Sequence, residues 1–239
     1  MAILAVGQSH VGAIRRAAKT HRETWPGELR TRVIHLLAED YAADGQEFGP
    51  LARAAIEDQI ARHHPRLVSV MGGNAHNDIA LLRHPRPYDF LLSRTKKGPP
   101  IEADAELVPE ALVRAALEQR LLTDFWRLDM LREIAGPFIH LESPPPVFDG
   151  TFIRDRAEAH FRERHGQDIV AGAPGMRWRI WRLTSRILKE KAEALGCRFM
   201  PVPAEVLDEQ GFLRIEFAAD PTHGNEAYGE ALIRAIEDF

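Results

Sequence analysis

Residues 3–12 read ILAVGQSHVG, and this segment indicates the fold class. The apolar run at 3–6 has the length and composition of a buried strand, and Gly7 ends it. The segment 11–19 then has helical character. The chain therefore opens with a strand, a tight turn that contains Ser9, and a helix.

The same alternation of strands and helices continues along the chain. Further strands are predicted at 32–37, 67–71, 137–142 and 197–202, and further helices at 51–63, 108–134, 151–166, 176–195 and 225–239. Such alternation implies βαβ crossovers, so we predict an α/β fold, a three-layer α/β/α sandwich with a mainly parallel central sheet. Ligands of such sheets bind at the carboxyl ends of the strands, which directs attention to the loops there.

One long stretch has no clear hydrophobic period. Residues 84–109 carry five prolines and a Lys-Lys-Gly turn at 96–98. This composition predicts an irregular insertion around 84–110. With 239 residues the chain can form one core, so we predict a single domain over 1–239 that includes this insertion.

Charge and composition limit the classes of partner and the compartment that are expected for this chain. The net charge is -4, with 31 basic and 35 acidic residues, so no general cationic field attracts nucleic acid or an anionic membrane. The apolar run after Met1 is too short for a signal peptide, and no stretch approaches the roughly 20 apolar residues of a membrane span. The single cysteine, Cys197, excludes an intramolecular disulfide. These features predict a soluble, cytoplasmic protein.

One local cluster of positive charge runs against the overall balance. It consists of Arg177, Arg179, Arg182 and Arg186, interleaved with Trp178 and Trp181. We interpret it as a solvated helix face with the tryptophans turned inward. The alternative is a rim that meets an anionic or carbohydrate ligand.

The turn at 7–12, Gly-Gln-Ser-His-Val-Gly, has three interpretations when taken alone. It could be a structural turn, or a phosphate-binding turn with Glu39 or Asp40 as the ribose ligand. Against nucleotide binding, Ser9 replaces the middle glycine of GxGxxG. It could also present Ser9 as a nucleophile, although Gly12 comes one residue too late for the GxSxG elbow.

Two distant segments bear on this choice. Asp220 and His223 are three residues apart in a loop after an expected strand end, and a carboxylate beside a histidine can activate a serine. Gly72-Gly73-Asn74 follows a buried strand, and the Asn74 amide could donate to an oxyanion. Each also has a structural interpretation: Asp220 as a helix cap, and Asn74 in a left-handed turn.

Taken together, in this order, the three segments resemble the blocks of the SGNH/GDSL hydrolase superfamily. The resemblance spans the chain from the first strand to the final helix. It implies that Ser9 is the nucleophile, His223 the base and Asp220 its orienting carboxylate. The implied oxyanion hole consists of the backbone amides of Ser9 and Gly45 and the side chain of Asn74. Gly49 is the alternative to Gly45.

The sequence departs from the superfamily pattern at three positions. Gln8 stands where GDSL has aspartate, His10 where it has leucine, and Ala75 replaces the aspartate of GxND. None of these positions supplies the attacking atom or its base. The departures therefore concern the subfamily more than the chemistry.

The resemblance implies a serine esterase that hydrolyses or transfers a short acyl group without a cofactor. We assign Gln8, His10 and His76 to substrate binding and predict no metal site, since scattered histidines often meet by chance. Together with Asn77, these polar side chains favour an ester of a polar or sugar-like alcohol. Such an alcohol could stack on tryptophan side chains, for which the candidates are Trp126, Trp178 and Trp181. The alternatives are an acyltransferase, a binding protein on the same fold, and a nucleotide-binding Rossmann-like domain.

Overall fold

A five-stranded, all-parallel sheet forms the centre of the molecule. The computed structural model describes residues 2–24, 31–38, 41, 48–95, 98–157, 162–163 and 169–239. The strands are β1 (Ile3–Gly7), β2 (Thr31–His35), β3 (Arg66–Val70), β6 (Ile139–Leu141) and β7 (Arg198–Met200), in the order β2-β1-β3-β6-β7. Two short strands, β4 (Tyr88–Asp89) and β5 (Glu106–Leu107), pair separately. The predicted parallel sheet is therefore confirmed.

Helices cover both faces of this sheet. They are α1 (Val11–Thr24), α2 (Pro50–His63), α3 (Ala75–Ala80), α4 (Glu110–Ala135), α5 (Gly150–Arg156), α6 (Pro174–Ala194) and α7 (Glu226–Asp238). Alternate residues of β1 face opposite cores: Ile3 packs with residues of α1 and α7, whereas Leu4 packs with residues of α2 and α4. This division confirms the predicted three-layer sandwich.

Two glycines allow the close approaches that bring the ends of the chain together. At the end of β1, a Cβ on Gly7 would collide with the backbone carbonyl of Val70 on β3. On α7, a Cβ on Gly229 would collide with the backbone of Ala13 on α1. Since α1 starts just after Ser9, its tight packing against α7 holds the N-terminal turn beside the loop that precedes α7.

The segment 84–110, which the sequence predicts to be an irregular insertion, is tied to α6 by a buried ion pair between Asp89 and Arg179. Its short strands β4 and β5 form the two-stranded sheet, and Asp89 of β4 accepts hydrogen bonds from the Arg179 guanidinium. Arg179 also donates to the backbone oxygen of Pro99 at 2.6 Å. A second arginine of α6, Arg186, donates to the backbone oxygen of Ser93 at 2.6 Å, so two arginines attach this segment to α6.

The arginine cluster is only partly a solvated face. Trp178 and Trp181 are buried as predicted, but Arg177 and Arg179 are buried too, with 1% and 4% of their surface exposed. Arg177 donates to backbone oxygens, including that of Gly172 at 2.9 Å, and burial lowers its pKa to about 10. The interpretation was wrong for these two arginines because distant carbonyl and carboxylate groups satisfy their guanidinium groups.

The segment before the final helix also differs from expectation. The expected strand before Asp220 is replaced by short 3₁₀ helices at Ala204–Val206 and Ile215–Phe217. Of the helix predicted at 151–166, α5 covers 150–156, and most of the remainder lies outside the described residues. Within the part of the chain that the structure describes, no helix is both long and apolar enough to cross a bilayer.

Candidate active site

The loop before α7 brings Asp220 and His223 into contact. The Nδ1 atom of His223 lies 3.0 Å from both carboxylate oxygens of Asp220. Oδ1 of Asp220 also accepts hydrogen bonds from the backbone N–H groups of Thr222, at 2.8 Å, and His223, at 2.9 Å. The carboxylate thus shapes the loop and orients the imidazole with the same oxygen.

The same contacts hold Asp220 in its charged form. Burial raises the pKa of this carboxyl, but the hydrogen bonds from His223 and Thr222 and the proximity of His223 outweigh that effect and lower it to about 2. Asp220 is therefore ionised at neutral pH. A charged carboxylate is what a neighbouring histidine needs when it takes up a proton.

Further hydrogen bonds fix this loop against the two terminal helices. The guanidinium of Arg16, on α1, donates to the backbone oxygen of Gly224 at 2.8 Å. Asn225 caps α7 by accepting from the N–H of Tyr228 at 3.1 Å. The loop carrying His223 is therefore attached to the helix that begins after Ser9.

Ser9 lies in the turn at the carboxyl end of β1 and is partly exposed. The turn is closed by hydrogen bonds from the Val11 N–H to the Gln8 oxygen, at 3.1 Å, and from the Gly12 N–H to the Ser9 oxygen, at 2.9 Å. The ring of the next residue, His10, has its centroid 4.9 Å from that of His223. The N-terminal and C-terminal motifs thus meet at one edge of the sheet.

Asn74 stands at the carboxyl end of β3, as the first residue before α3. Its side-chain oxygen lies 3.2 Å from Nε2 of His10 and accepts a hydrogen bond from Nδ2 of Asn77 at 3.0 Å. Gly73, beside it, has no side chain, and a Cβ there would collide with the His10 ring. The serine turn and the Gly-Gly-Asn segment are therefore in direct contact.

The three residues assigned to substrate binding differ in how exposed their side chains are. Gln8 is partly exposed, whereas His10 and His76 are buried. Burial lowers the pKa of His76 to about 3, and burial together with the nearby His223 and His76 lowers that of His10 to about 3. Both rings are therefore neutral near pH 7, and little of either surface is available to a ligand.

One carboxylate at this site was not anticipated from the sequence. Asp124, on α4, accepts a hydrogen bond from the Arg127 guanidinium at 3.3 Å and lies close enough to Gln8 and Gly72 for both to affect its pKa. Burial raises the pKa of Asp124 above its ordinary value, and the nearby Arg127, Gln8 and Gly72 offset this effect only in part. No sequence signal could have singled it out, because it is one of several acids along a 26-residue helix.

Two glycines are candidates for the implied oxyanion hole, and the structure describes one of them. Gly45 lies outside the described residues, so its assignment stays a prediction. The alternative, Gly49, is buried and immediately precedes α2. Among the described residues, no group of three or more His, Cys, Asp or Glu side chains could hold a metal ion.

A second serine–histidine contact lies inside the sheet. Nδ1 of His140, on β6, is 3.2 Å from the hydroxyl of Ser69, on β3. Both residues are 0% exposed. A substrate cannot reach this hydroxyl without opening the sheet, so we interpret the contact as an internal hydrogen bond between strands.

Comparisons with known proteins give matches among solved structures alone. No protein-family model and no curated protein sequence matches the chain. Matching solved structures include a protein described as an acylhydrolase from Bacteroides fragilis, with 10% identity and a TM-score of 0.46, covering 99% of this chain and 85% of that chain. Other solved structures that match this chain are described as a GDSL-like lipase and as aryl esterases.

Two further solved structures that match this chain have different described activities. One is a GDSL-like lipase from Bacteroides thetaiotaomicron, with 13% identity and a TM-score of 0.41, covering 99% of this chain and 87% of that chain. The other is the periplasmic domain of a lipopolysaccharide acetyltransferase from Salmonella ser. Paratyphi A, with 12% identity and a TM-score of 0.46, covering 99% and 82%. At these identities and TM-scores, the chemistry is inferred from the chain's own side chains.

Proposed function

We propose that this protein is a serine esterase in which Ser9 is the nucleophile and His223 its base. The observation that carries the proposal is the 3.0 Å contact of His223 Nδ1 with both oxygens of Asp220, beside the turn that contains Ser9. A serine hydroxyl attacks only when a base removes its proton, and a carboxylate at Nδ1 gives the base the required tautomer. These groups come from opposite ends of the chain.

The proposed reaction uses these groups in turn. His223, with Nδ1 engaged by Asp220, takes the Ser9 proton at Nε2 as the hydroxyl oxygen bonds to the ester carbonyl carbon. The resulting oxyanion accepts hydrogen bonds from the Ser9 N–H, the Asn74 amide and a glycine N–H, for which Gly45 is the candidate. His223 then protonates the leaving alcohol, and a water molecule, deprotonated by the same histidine, releases the acid from Ser9.

The proposed substrate is a small ester with a short acyl group. The preference for a sugar-like alcohol drew partly on Trp178 and Trp181, and both indoles are buried, with that of Trp181 donating to the Ser143 oxygen. They cannot stack on a ligand in this conformation. Gln8 remains a partly exposed polar side chain next to Ser9 and supports a polar alcohol.

The rival nucleotide-binding function has less support. In a phosphate-binding turn, glycines leave space for the ligand to approach the backbone. Here the space beside Gly7 is taken by the Val70 carbonyl and the space beside Gly73 by the His10 ring. The small residues at this edge therefore serve packing within the chain.

Hydrolysis of p-nitrophenyl acetate tests the proposal. We expect Ser9→Ala to reduce the rate to the level of the free base-catalysed reaction, because the nucleophile is lost. The matched control is Ser69→Ala, which removes the buried hydroxyl and should retain the activity. A Ser9→Ala variant with the full rate, or a loss seen only in Ser69→Ala, would contradict it. A panel of acetyl, butyryl and octanoyl esters, and of acetylated sugars, then defines the substrate.

A further inference from the structure

The histidine next to the proposed nucleophile is buried and bonded in a way that the proposed reaction does not use. His10 is 5% exposed, its Nε2 atom lies 3.2 Å from Oδ1 of Asn74, and its ring fills the space that a side chain on Gly73 would need. It also lies beside His223, with 4.9 Å between ring centroids. His10 thus contacts both the proposed base and the proposed oxyanion donor.

We propose that His10 is a positioning residue that fixes the side-chain amide of Asn74 with its NH2 group toward the oxyanion. This inference rests on the proposed function. A side-chain amide oxygen accepts two hydrogen bonds. In Asn74 both are supplied, by Nε2–H of His10 and by Nδ2 of Asn77 at 3.0 Å. Because the amide is planar, holding the oxygen on one side directs the NH2 group to the other.

The tautomer of His10 follows from the same contact. Oδ1 of Asn74 can only accept, so Nε2 of His10 must carry the hydrogen. In the opposite tautomer, a lone pair of Nε2 would face the oxygen. In addition, the hydrogen on Nδ1 would be buried, where Nδ1 has no hydrogen-bond partner among the described residues. His10 is therefore a neutral donor through Nε2.

The neutrality of His10 also suits its neighbour. During the reaction His223 gains a proton, and a second positive charge at this distance would oppose that step. Burial keeps His10 uncharged near pH 7. Of two adjacent histidines, only His223 then exchanges protons, while His10 keeps one hydrogen bond to Asn74 throughout.

A double-mutant cycle of His10→Phe and Asn74→Ala tests this role. Removing an oxyanion donor costs about 10²- to 10³-fold in kcat, so we expect Asn74→Ala to fall in that range. His10→Phe keeps a ring but removes the donor, and we expect kcat to fall about tenfold to a hundredfold with KM within about twofold. In the Asn74→Ala background, His10→Phe should have almost no further effect, because its target is gone.

Independence of the two substitutions would overturn the inference. If His10→Phe lowers kcat by the same factor in both backgrounds, or leaves kcat unchanged, His10 does not act through Asn74. Ser69→Ala provides the control for the cycle, since its effect should be the same in both backgrounds. Activity that persists in Ser9→Ala would instead refute the proposed function, so the two failures are distinguishable.

A second variant covers the case in which His10→Phe fails to fold. His10→Gln keeps a side-chain N–H that can reach toward Asn74 and avoids the larger ring. We expect it to recover at least part of the activity, to a level about tenfold above that of a donor-free His10→Leu variant with an equal melting temperature. Equal kcat values for Gln and Leu at position 10, in folded proteins, would overturn the inference.

Discussion

At the scale of single residues, the site depends on one carboxylate with several tasks. Asp220 accepts from two backbone N–H groups and from Thr222 Oγ1, at 3.0 Å, while it also contacts His223 Nδ1. The backbone bonds fix the loop and the imidazole contact fixes the histidine tautomer. A substitution here should therefore affect activity more than it affects the fold elsewhere.

Replacing this carboxylate by an amide should separate the two tasks. Asp220→Asn keeps an oxygen for the backbone N–H groups but can present an N–H to His223, which favours the wrong tautomer. We expect kcat to fall by about 10³-fold or more, as in other Ser-His-Asp sites. Steady-state kinetics on p-nitrophenyl acetate, with the melting temperature as the folding control, measures this. A loss of less than tenfold would mean that Asp220 does not orient the base.

At the scale of elements, the close approach of β1 to β3 determines where the serine turn begins. The carbonyl of Val70 occupies the space beside Gly7, and the Gln8 N–H donates to that same oxygen at 3.3 Å. The turn thus starts from the sheet itself. The Gln8 side chain adds a second link, since its Oε1 accepts a hydrogen bond from the Gly72 N–H at 3.2 Å.

Two glycine substitutions test this close approach. In Gly7→Ala the new methyl group would collide with a strand backbone that cannot easily move, so we expect a loss of about 2–4 kcal/mol in the free energy of unfolding. Gly12→Ala is the matched control, since its Cβ would lie 3.4 Å from the flexible end of Arg16. Within a helix that change should stabilise by up to about 1 kcal/mol. Urea unfolding measures both, and equal stabilities would contradict the packing described.

The elements differ in how far the sequence could predict them. The strand–turn–helix at 3–19 was predictable because apolar runs and glycine boundaries are local signals. The burial of Arg177 and Arg179 was not, since it depends on carbonyls and a carboxylate up to 90 residues away. His10 was predicted to bind substrate because it adjoins Ser9, but only the tertiary structure shows its ring packed at Gly73.

At the scale of the whole molecule, several histidines are buried in a neutral state. His10 and His76 lie at the candidate site, and His140 lies within the sheet. Burial lowers their pKa values from 6.5 to about 3, about 3 and about 4. In the unfolded chain these groups bind protons more readily. Lowering the pH from 6.5 toward these folded-state pKa values therefore favours unfolding.

We expect stability to fall as the pH drops below 6.5. The unfolded chain binds more protons there, so each of these histidines lowers the free energy of unfolding by up to about 1.4 kcal/mol per pH unit. The stabilisation is fully present above pH 6.5. Asp220, whose pKa is lowered to about 2, adds a loss only below about pH 4.

Urea unfolding at pH 8, 6 and 5 measures this dependence. The His76→Phe variant, which lacks one of the three groups, should show a shallower decline between pH 6 and 5 than the unmodified protein. A constant free energy of unfolding from pH 8 to pH 5 would contradict the assignment of neutral buried histidines.

The central claim is that Ser9 is the nucleophile, and covalent labelling tests it most directly. A fluorophosphonate probe reacts with an activated serine, and peptide mass mapping locates the adduct. We predict one adduct, on the peptide that contains Ser9, in the unmodified protein and in Ser69→Ala, and none in folded Ser9→Ala. An adduct on Ser69 or any other residue, or no adduct in the folded, unmodified protein, would contradict the claim.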